Sequence, residues 1–320
     1  MADLPPDYFV SSLQYTKKTF QDVYPPIDPT NPTNSLAGRI GQQSSESSPI
    51  TRRAVKLIRC HFQGIVPSFA KAGVHGLVLV ARDEAKLKEV EREVLAINSK
   101  IETLLVALDI TNEIAVGQLF DKIQARFGRY ADTLVHNAAV NAAGNGGGPI
   151  LHEAEVDEWW KNFEINVKGF FVFSKYFISA LPSPTTPATI INISSSAAWL
   201  VYPVSDAYSV SKLASQQWCT MLNAAYGGTL TVVSIHPGLV ATDMMQPFFE
   251  KFNMDSPLLA GGLCTWVAAD AERSAFLSGR VISANWDVEE LVARKADIVA
   301  KNELTVDLVG TFGEEHFKSA

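Results

Sequence analysis

The sequence predicts one doubly wound α/β domain, a parallel sheet with helices on both faces. Three observations predict it. From about residue 74 to 283, short runs that are apolar along their whole length alternate with amphipathic helical stretches. Strands buried on both faces are what a parallel sheet between two helical layers requires. The 320 residues, 47% of them hydrophobic, suffice for one large core. Polar residues and turn formers also cluster where the predicted strands end: Asp109, Asn137, the serines after Ile193, and Pro237-Gly238. Ligands of such sheets bind at the carboxyl ends of the strands.

The elements follow in order. Residues 1–40 stand apart as an N-terminal arm. The first 50 residues hold seven of the sixteen prolines and a Ser/Glu/Pro tract at 44–49. Such a composition buries little, so the arm is expected to be extended or partly disordered. Tyr8, Phe9, Tyr15, Phe20 and Tyr24 are able to pin parts of it to the body. The domain proper is expected over 41–320, with no internal repeat and no second domain. Residues 77–81 read as a strand, and 83–98 as a helix with Leu87, Val90 and Val94 at helical spacing. Residues 103–108 form the next strand, closed by Asp109, and 114–127 the next helix. A strand at 133–136 leads into a loop with Gly144, Gly146, Gly147 and Gly148. One long helical pattern covers 156–181. Then come a strand at 189–193, a helix at 207–226, a strand at 230–235 and a short last strand at 280–283.

Composition excludes several function classes. The formal net charge is −7, which gives no electrostatic pull on nucleic acid or anionic lipid. Cys60, Cys219 and Cys264 are far apart and form no metal-ligand pattern, so no metal is expected, and the thiols read as buried and reduced. The first ten residues lack a basic region followed by an apolar stretch. No run reaches the roughly 18 apolar residues of a membrane helix. A cytoplasmic protein is the expectation.

Tyr208 and Lys212 are four apart on a predicted helix and so share one face. A free tyrosine, with a pKa of about 10, is a poor proton carrier at neutral pH. A nearby cation favours the phenolate, and such a pair can exchange a proton with a substrate oxygen. Thirteen residues before Tyr208 stands Ser195, just past a strand, where its hydroxyl can bond the same oxygen. Asn166 lies inside an otherwise apolar helical stretch, and a buried amide needs partners.

Five motifs stand in order: Asn137-Ala138-Ala139, Asn166-Val167-Lys168-Gly169, Ile191-Asn192-Ile193-Ser194-Ser195, Tyr208-Ser209-Val210-Ser211-Lys212, and a turn from Pro237-Gly238 to Thr242. Together they resemble the ordered motifs of the short-chain dehydrogenase/reductase family, over about residues 68–283. The tail near Ser278 and Ala284–Leu291 and the arm at 24–30 resemble members from filamentous fungi. The resemblance implies a Rossmann-like fold and an NAD(P)-dependent oxidoreductase acting on CH–OH or C=O groups. It implies that Tyr208 is the acid in reduction and the base in oxidation. By the same resemblance Lys212 lowers the Tyr208 pKa and holds the nicotinamide ribose, Ser195 polarises the carbonyl, and Asn166 holds a water of the proton relay. Asp109 would contact the adenine and Asn137 its ribose, while Lys168, Val240 and Thr242 line the cofactor. Homodimers or homotetramers, built through the helices holding Asn166 and Tyr208, are the family habit. His136 and Ala139 stand where the family usually has asparagine and glycine.

Arg82 closes the first clear strand. A basic residue there suits the 2′-phosphate of NADP, although Asp83 beside it suits the free ribose of NAD. NADP is expected, with NAD as the other possibility. One departure is larger. The family opens with a strand and a glycine-rich turn that lets the backbone approach the pyrophosphate. Between residues 40 and 66 the only glycines are Gly41 and Gly64, without that spacing. The first strand and glycine loop are therefore atypical. Residues 55–62 can supply a substitute strand, and the stretch reads as foreign to its flanks, as a mis-spliced message would make it.

The leading reading is an NADP(H)-dependent reductase or alcohol dehydrogenase for a small apolar substrate, set in fungal secondary metabolism by family habit. A lid is expected over about 244–275, where Phe248, Phe249, Phe252, Met254, Leu258 and Leu259 gather; a helical pair packed on the core would read the same. The alternative is a non-catalytic protein of this fold whose missing glycine turn impairs cofactor binding.

Overall fold

Each predicted apolar run from residue 77 onward becomes a strand, because alternate side chains of each must leave water on opposite faces. A computed structural model describes residues 4–37, 54–57, 62–142, 151–201, 206–241, 247–252 and 254–310. The strands are β1 (Ala54–Leu57), β2 (Gly76–Ala81), β3 (Glu102–Ala107), β4 (Thr133–His136), β5 (Ala188–Ile193), β6 (Leu230–His236) and β7 (Val281–Ser283). They form one sheet in the order β3-β2-β1-β4-β5-β6-β7, and every neighbouring pair is parallel. The chain runs outward one way through β1 to β3 and the other way through β4 to β7. The carboxyl ends of β1 and β4 therefore flank the switch point, the crevice where doubly wound sheets bind ligands.

The substitute strand expected over 55–62 is described as Ala54–Leu57, inside the sheet, and Phe62 already opens a helix. Ala54 pairs with Leu77 on one side and with Thr133 on the other. Residues 38–53 and 58–61, which include Gly41, Cys60 and the turn after β1, lie outside the described residues, as do Gly144, Gly146, Gly147 and Gly148.

Helices fill both faces. In chain order they are α1 (Tyr8–Ser11), α2 (Phe62–Lys71), α3 (Glu84–Ile97), α4 (Glu113–Phe127), α5 (Val156–Phe163), α6 (Gly169–Ser179), α7 (Asp206–Tyr226) and α8 (Pro257–Ala269), followed by the short α9 (Ala271–Ser274), α10 (Val288–Ala293) and α11 (Lys295–Ala300). Local chemistry sets their ends. Asp83 caps α3 through the Ala85 and Lys86 N–H groups, and Asn112 caps α4 through Ala115. Gly128, at φ +65°, closes α4 in the left-handed conformation. One core cluster lies on the face of α2 and α8 and the other on the face of α4, α6 and α7.

Two expectations change. The long helix predicted over 156–181 is α5 and α6 joined by a π-helical turn, Glu164–Lys168. One extra residue in a turn hardly disturbs an apolar stripe, so periodicity does not reveal it. The second half of the expected lid is core: α8 is buried from Leu259 to Ala269. It presses on α2 so closely that a Cβ on Gly64 would stand 1.7 Å from the Pro257 carbonyl oxygen, and one on Gly261 2.3 Å from the Gly64 oxygen. Gly64 thus serves helix packing.

The arm is fastened to the body. It has little regular structure beyond α1 and two 3-10 turns, yet Tyr24, Ile27 and Leu36 enter the core. The Tyr24 hydroxyl donates to the Trp286 carbonyl at 2.8 Å and accepts the Val288 N–H at 3.0 Å. Tyr15, Phe20 and Val23 pack against the same core, so several side chains and a few hydrogen bonds hold a segment of loose composition. Among the described residues no helix is long and apolar enough to cross a membrane.

Candidate active site

The strand ends carry the predicted chemistry, and two helices reach over to them. β5 ends at Ile193, and three serines follow. Ser195 opens a 3-10 turn, its Oγ accepting the Ala197 N–H at 3.2 Å. It is partly exposed, whereas Ser194 and Ser196 are buried. The Ser196 N–H donates to His236 Nδ1 at 3.2 Å and ties this loop to the end of β6.

Tyr208 and Lys212 lie one turn apart on α7. Lys212 is buried, and its Nζ donates to the Ile193 carbonyl at 2.7 Å. A buried ammonium needs such a partner. The same Nζ lies 5.7 Å from the centre of the Tyr208 ring. One hydrogen bond therefore fixes α7 to the end of β5, two residues before Ser195, and brings Ser195, Tyr208 and Lys212 to one strand end.

Asn166 sits in the π-helical turn. Its Oδ1 accepts the Val140 N–H at 2.8 Å, and its Nδ2 donates to the Val140 carbonyl and to Ser211 Oγ, both at 2.9 Å. Ser211 Oγ in turn donates to the Tyr208 carbonyl at 2.7 Å, and Ser215 Oγ to the Asn166 carbonyl at 2.9 Å. Both amide protons of Asn166 are engaged by protein. A water there has only the remaining lone pairs of Oδ1 and of the backbone carbonyl. Asn166 is first a knot joining the loop after β4 to α7.

Asn137 follows β4 at the switch point. It is buried, and neither polar atom of its amide has a partner among the described residues. A buried amide without a protein partner asks for one from a ligand or from water, so this position fits a dinucleotide. His136 beside it is buried against the Phe170 ring at 4.7 Å. Burial, with the Lys212 charge adding to it, drives its pKa down to about 3. A neutral, enclosed imidazole is a packing group.

Arg82, Asp109 and Lys168 are exposed and act on one another at the outer edge. Asp109 Oδ1 accepts the Thr111 N–H and hydroxyl, both at 2.9 Å. Those hydrogen bonds, opposed by partial burial and aided by the charges of Arg82 and Lys168, hold its carboxyl below the usual range. Asp83, beside Arg82, is occupied as the cap of α3.

After β6 the chain turns at Gly238, φ +87°, where a Cβ would stand 2.5 Å from Asp255 Oδ2. Val240 is buried just beyond, and Thr242 lies outside the described residues. Asp255 accepts the Leu239 N–H at 2.6 Å and an Asn285 amide proton at 2.7 Å.

The sequence pattern had a signal for Ser211 and Ser215, which follow Tyr208 at three and seven residues on the same helix face. It had none for Asp255 and Asn285, which meet only in the fold.

A family model described as short chain dehydrogenase matches residues 63–253. The chain belongs to the short-chain dehydrogenase family. It is accordingly an NAD(P)-dependent oxidoreductase. The short chain dehydrogenase andI of Emericella variicolor is 32% identical over 256 residues, covering 77% of this chain and 84% of that one. The short chain dehydrogenase pgmD of Aspergillus terreus is 28% identical over 308 residues, 91% of this chain and 93% of its own length. A solved structure, ElxO with NADP bound, superposes with a TM-score of 0.60 at 21% identity, over 73% of this chain and 97% of that one. The match to the short-chain dehydrogenase model begins at residue 63, beyond the atypical stretch. The resemblance to filamentous-fungal members holds in these relatives.

Proposed function

We propose that the chain is an NADP(H)-dependent carbonyl reductase or alcohol dehydrogenase for a small, apolar substrate, in the secondary metabolism of a filamentous fungus. The observation that carries the reading is Lys212, whose buried Nζ is fixed on the Ile193 carbonyl while facing the Tyr208 ring.

A fixed cation stabilises the phenolate form of Tyr208. In reduction the Tyr208 hydroxyl gives its proton to the substrate oxygen, and in oxidation the phenolate takes it back. The Ser195 hydroxyl donates to the same oxygen and stabilises charge developing there. The nicotinamide, when bound, supplies or receives the hydride. Lys212 would hold its ribose, Asn137 and Asp109 the adenosine end, and Lys168, Val240 and Thr242 the walls. Asn166 acts through the Val140 and Ser211 contacts that seat α7.

NADP is preferred in this reading because Arg82 is exposed while Asp83 is occupied as a helix cap. An apolar substrate suits the partly exposed Trp199 after Ser195 and the exposed Met254. The cover, in this reading, is the 3-10 helix Pro247–Phe252, where Phe249 and Phe252 pack on Phe9 of the arm at 5.5 and 4.8 Å between ring centres. The thiols Cys219 and Cys264 are buried, in keeping with a cytoplasmic protein. Exposed Trp160, Phe171, Val210 and Met221 on α5, α6 and α7 support a homodimer or homotetramer joined there.

Titration of the protein with NADPH and NADH, read by cofactor fluorescence, tests the reading. Saturable micromolar binding, tighter for NADPH, is expected, followed by turnover in a ketone screen that Tyr208→Phe abolishes. Failure to bind either dinucleotide refutes it and favours the non-catalytic alternative, for which the missing glycine spacing is the specific argument.

A further inference from the structure

Asp255 lies outside every motif, yet it is buried and bonded to the Leu239 backbone and the Asn285 side chain. Its Oδ2 accepts the Leu239 N–H at 2.6 Å, and its own N–H donates to the Leu239 carbonyl at 3.2 Å. The turn after β6 is thus held from both sides, and Gly238 has no Cβ because the carboxylate occupies that space. Its Oδ1 accepts Asn285 Nδ2 at 2.7 Å. The other Nδ2 proton goes to the Phe20 carbonyl at 2.9 Å, and Asn285 Oδ1 accepts Ser283 Oγ at 3.0 Å. Phe20 N–H returns to the Asn285 carbonyl at 2.8 Å, and Ser256 N–H donates to the Gln21 carbonyl at 2.7 Å. The arm is therefore linked to the turn after β6 through Asn285, two residues past β7, and the Asp255 carboxylate. A cavity of about 420 Å³ opens beside it, lined by Gln21, Asp22, Val240, Ala241, Met254 and Asp255.

We propose that Asp255 is a positioning residue: clamped by Asn285 and the N-terminal arm, it fixes the turn carrying Val240 in the shape that receives the cofactor. The arm thereby acts on dinucleotide affinity. The proposal rests on the dinucleotide-binding reading above. A carboxylate accepts two donors here; the protonated acid keeps only one good acceptor and adds a donor. Asn285 cannot compensate by turning over, since its amide would then face the Phe20 carbonyl with an oxygen. Burial lifts the Asp255 pKa to about 6, against the lowering effect of the Leu239 and Asn285 hydrogen bonds. The titratable and charged neighbours are few. Asp22 lines the same cavity. Lys251 is turned to the Leu4 carbonyl at 3.2 Å. Asp287 caps the helix Val288–Ala293 through Glu289 N–H. Burial keeps His236 at about 4.

The test is a binding titration of the full chain with NADP⁺, read by tryptophan fluorescence between pH 5 and 8, for the parent, Asp255→Asn and Asn285→Ala. The parent is expected to lose affinity as the pH falls through about 6. Asp255→Asn should bind roughly tenfold more weakly at pH 7.5, the scale of one charge-assisted hydrogen bond, and should converge on the parent at pH 5. Titration of the nucleotide's own phosphate is common to all three proteins and cancels in the ratio. Asn285→Ala, which serves alone where Asp255→Asn does not fold, should weaken binding and move the parent's step to higher pH. A constant ratio across the range, or parent affinity in both variants, overturns the proposal while leaving the cofactor reading intact. A parent that binds neither NADP⁺ nor NAD⁺ overturns both.

Discussion

Lys212→Met removes the ammonium while keeping most of the side chain's bulk, and it separates the role of charge from that of packing. The Nζ stands 5.7 Å from the Tyr208 ring centre. At that separation, with the effective dielectric of about 20 that suits protein sites, ammonium and phenolate attract by about 3 kcal/mol. If the proton transfer draws on that attraction, kcat should fall about a hundredfold, as each 1.4 kcal/mol is about tenfold in rate. The substitution also leaves the Ile193 carbonyl without its donor, a stability loss of about 1–3 kcal/mol that removal of a buried charge partly offsets. Steady-state kinetics at saturating NADPH, with cofactor affinity measured separately, isolates the tyrosine effect from any loss of ribose contact. The alkaline limb of the pH–rate profile should also move upward, since the phenolate becomes harder to form. A variant with kcat within threefold of the parent at pH 7 and an unmoved profile would refute the assignment of Lys212 as the group that tunes Tyr208.

Three further outcomes are expected. Ser195→Ala should lower kcat by roughly a hundredfold, the scale of one lost donor to a developing oxyanion, with NADPH affinity unchanged; Ser194→Ala run beside it should keep kcat within a few-fold, and equal losses in the two would unseat Ser195. Gly64→Ala should lower thermal stability by about 1–3 kcal/mol or more through overpacking against the Pro257 carbonyl, whereas a melting temperature equal to the parent's would mean that α2 and α8 do not touch as described. The pH dependence of stability has two opposed contributions. His136 is depressed to about 3 and His236 to about 4, so each contributes stability that is complete above the ordinary histidine range and is lost as the pH falls through it toward those values. Asp255, raised from 3.8 to about 6, acts the other way and adds stability as the pH falls through that window. Chemical denaturation at pH 7.5 and 5 should therefore show acid destabilisation that His136→Leu reduces and Asp255→Asn deepens; no change in slope in His136→Leu would discount the buried imidazole.

Much of this was legible in the one-dimensional pattern. The strand at 133–136 has the same ends in the fold, and α3 and α4 begin and end within a residue or two of their predicted limits. There the caps Asp83, Asn112 and Gly128 are local signals that act over one turn of chain. Tyr208, Lys212 and Ser211 were readable as one face because helical spacing alone fixes it. The π-helical turn at Asn166 was not readable, since one inserted residue leaves the apolar stripe almost intact. Composition over forty residues reads the arm as extended and its aromatics as pins, while the attachment itself depends on Tyr24, Ile27 and Leu36 finding a surface made elsewhere. The expected lid divided for the same reason: Leu258 and Leu259 are as apolar as a cover needs to be, and only the packing of α8 on α2 shows that part of it is core.

The sequence by itself determined the alternation of strand and helix, the polar residues at the strand ends, and the Tyr–Lys pair with its serine, because each rests on short-range periodicity or on motif order. Tertiary structure decided that 54–57 is an interior strand of the sheet, that Gly64 serves helix contact, and that Asp255 joins the arm to the turn after β6 through Asn285. Those depend on contacts between residues up to hundreds of positions apart, and a buried hydrogen-bond partner leaves no mark on the local sequence of either group.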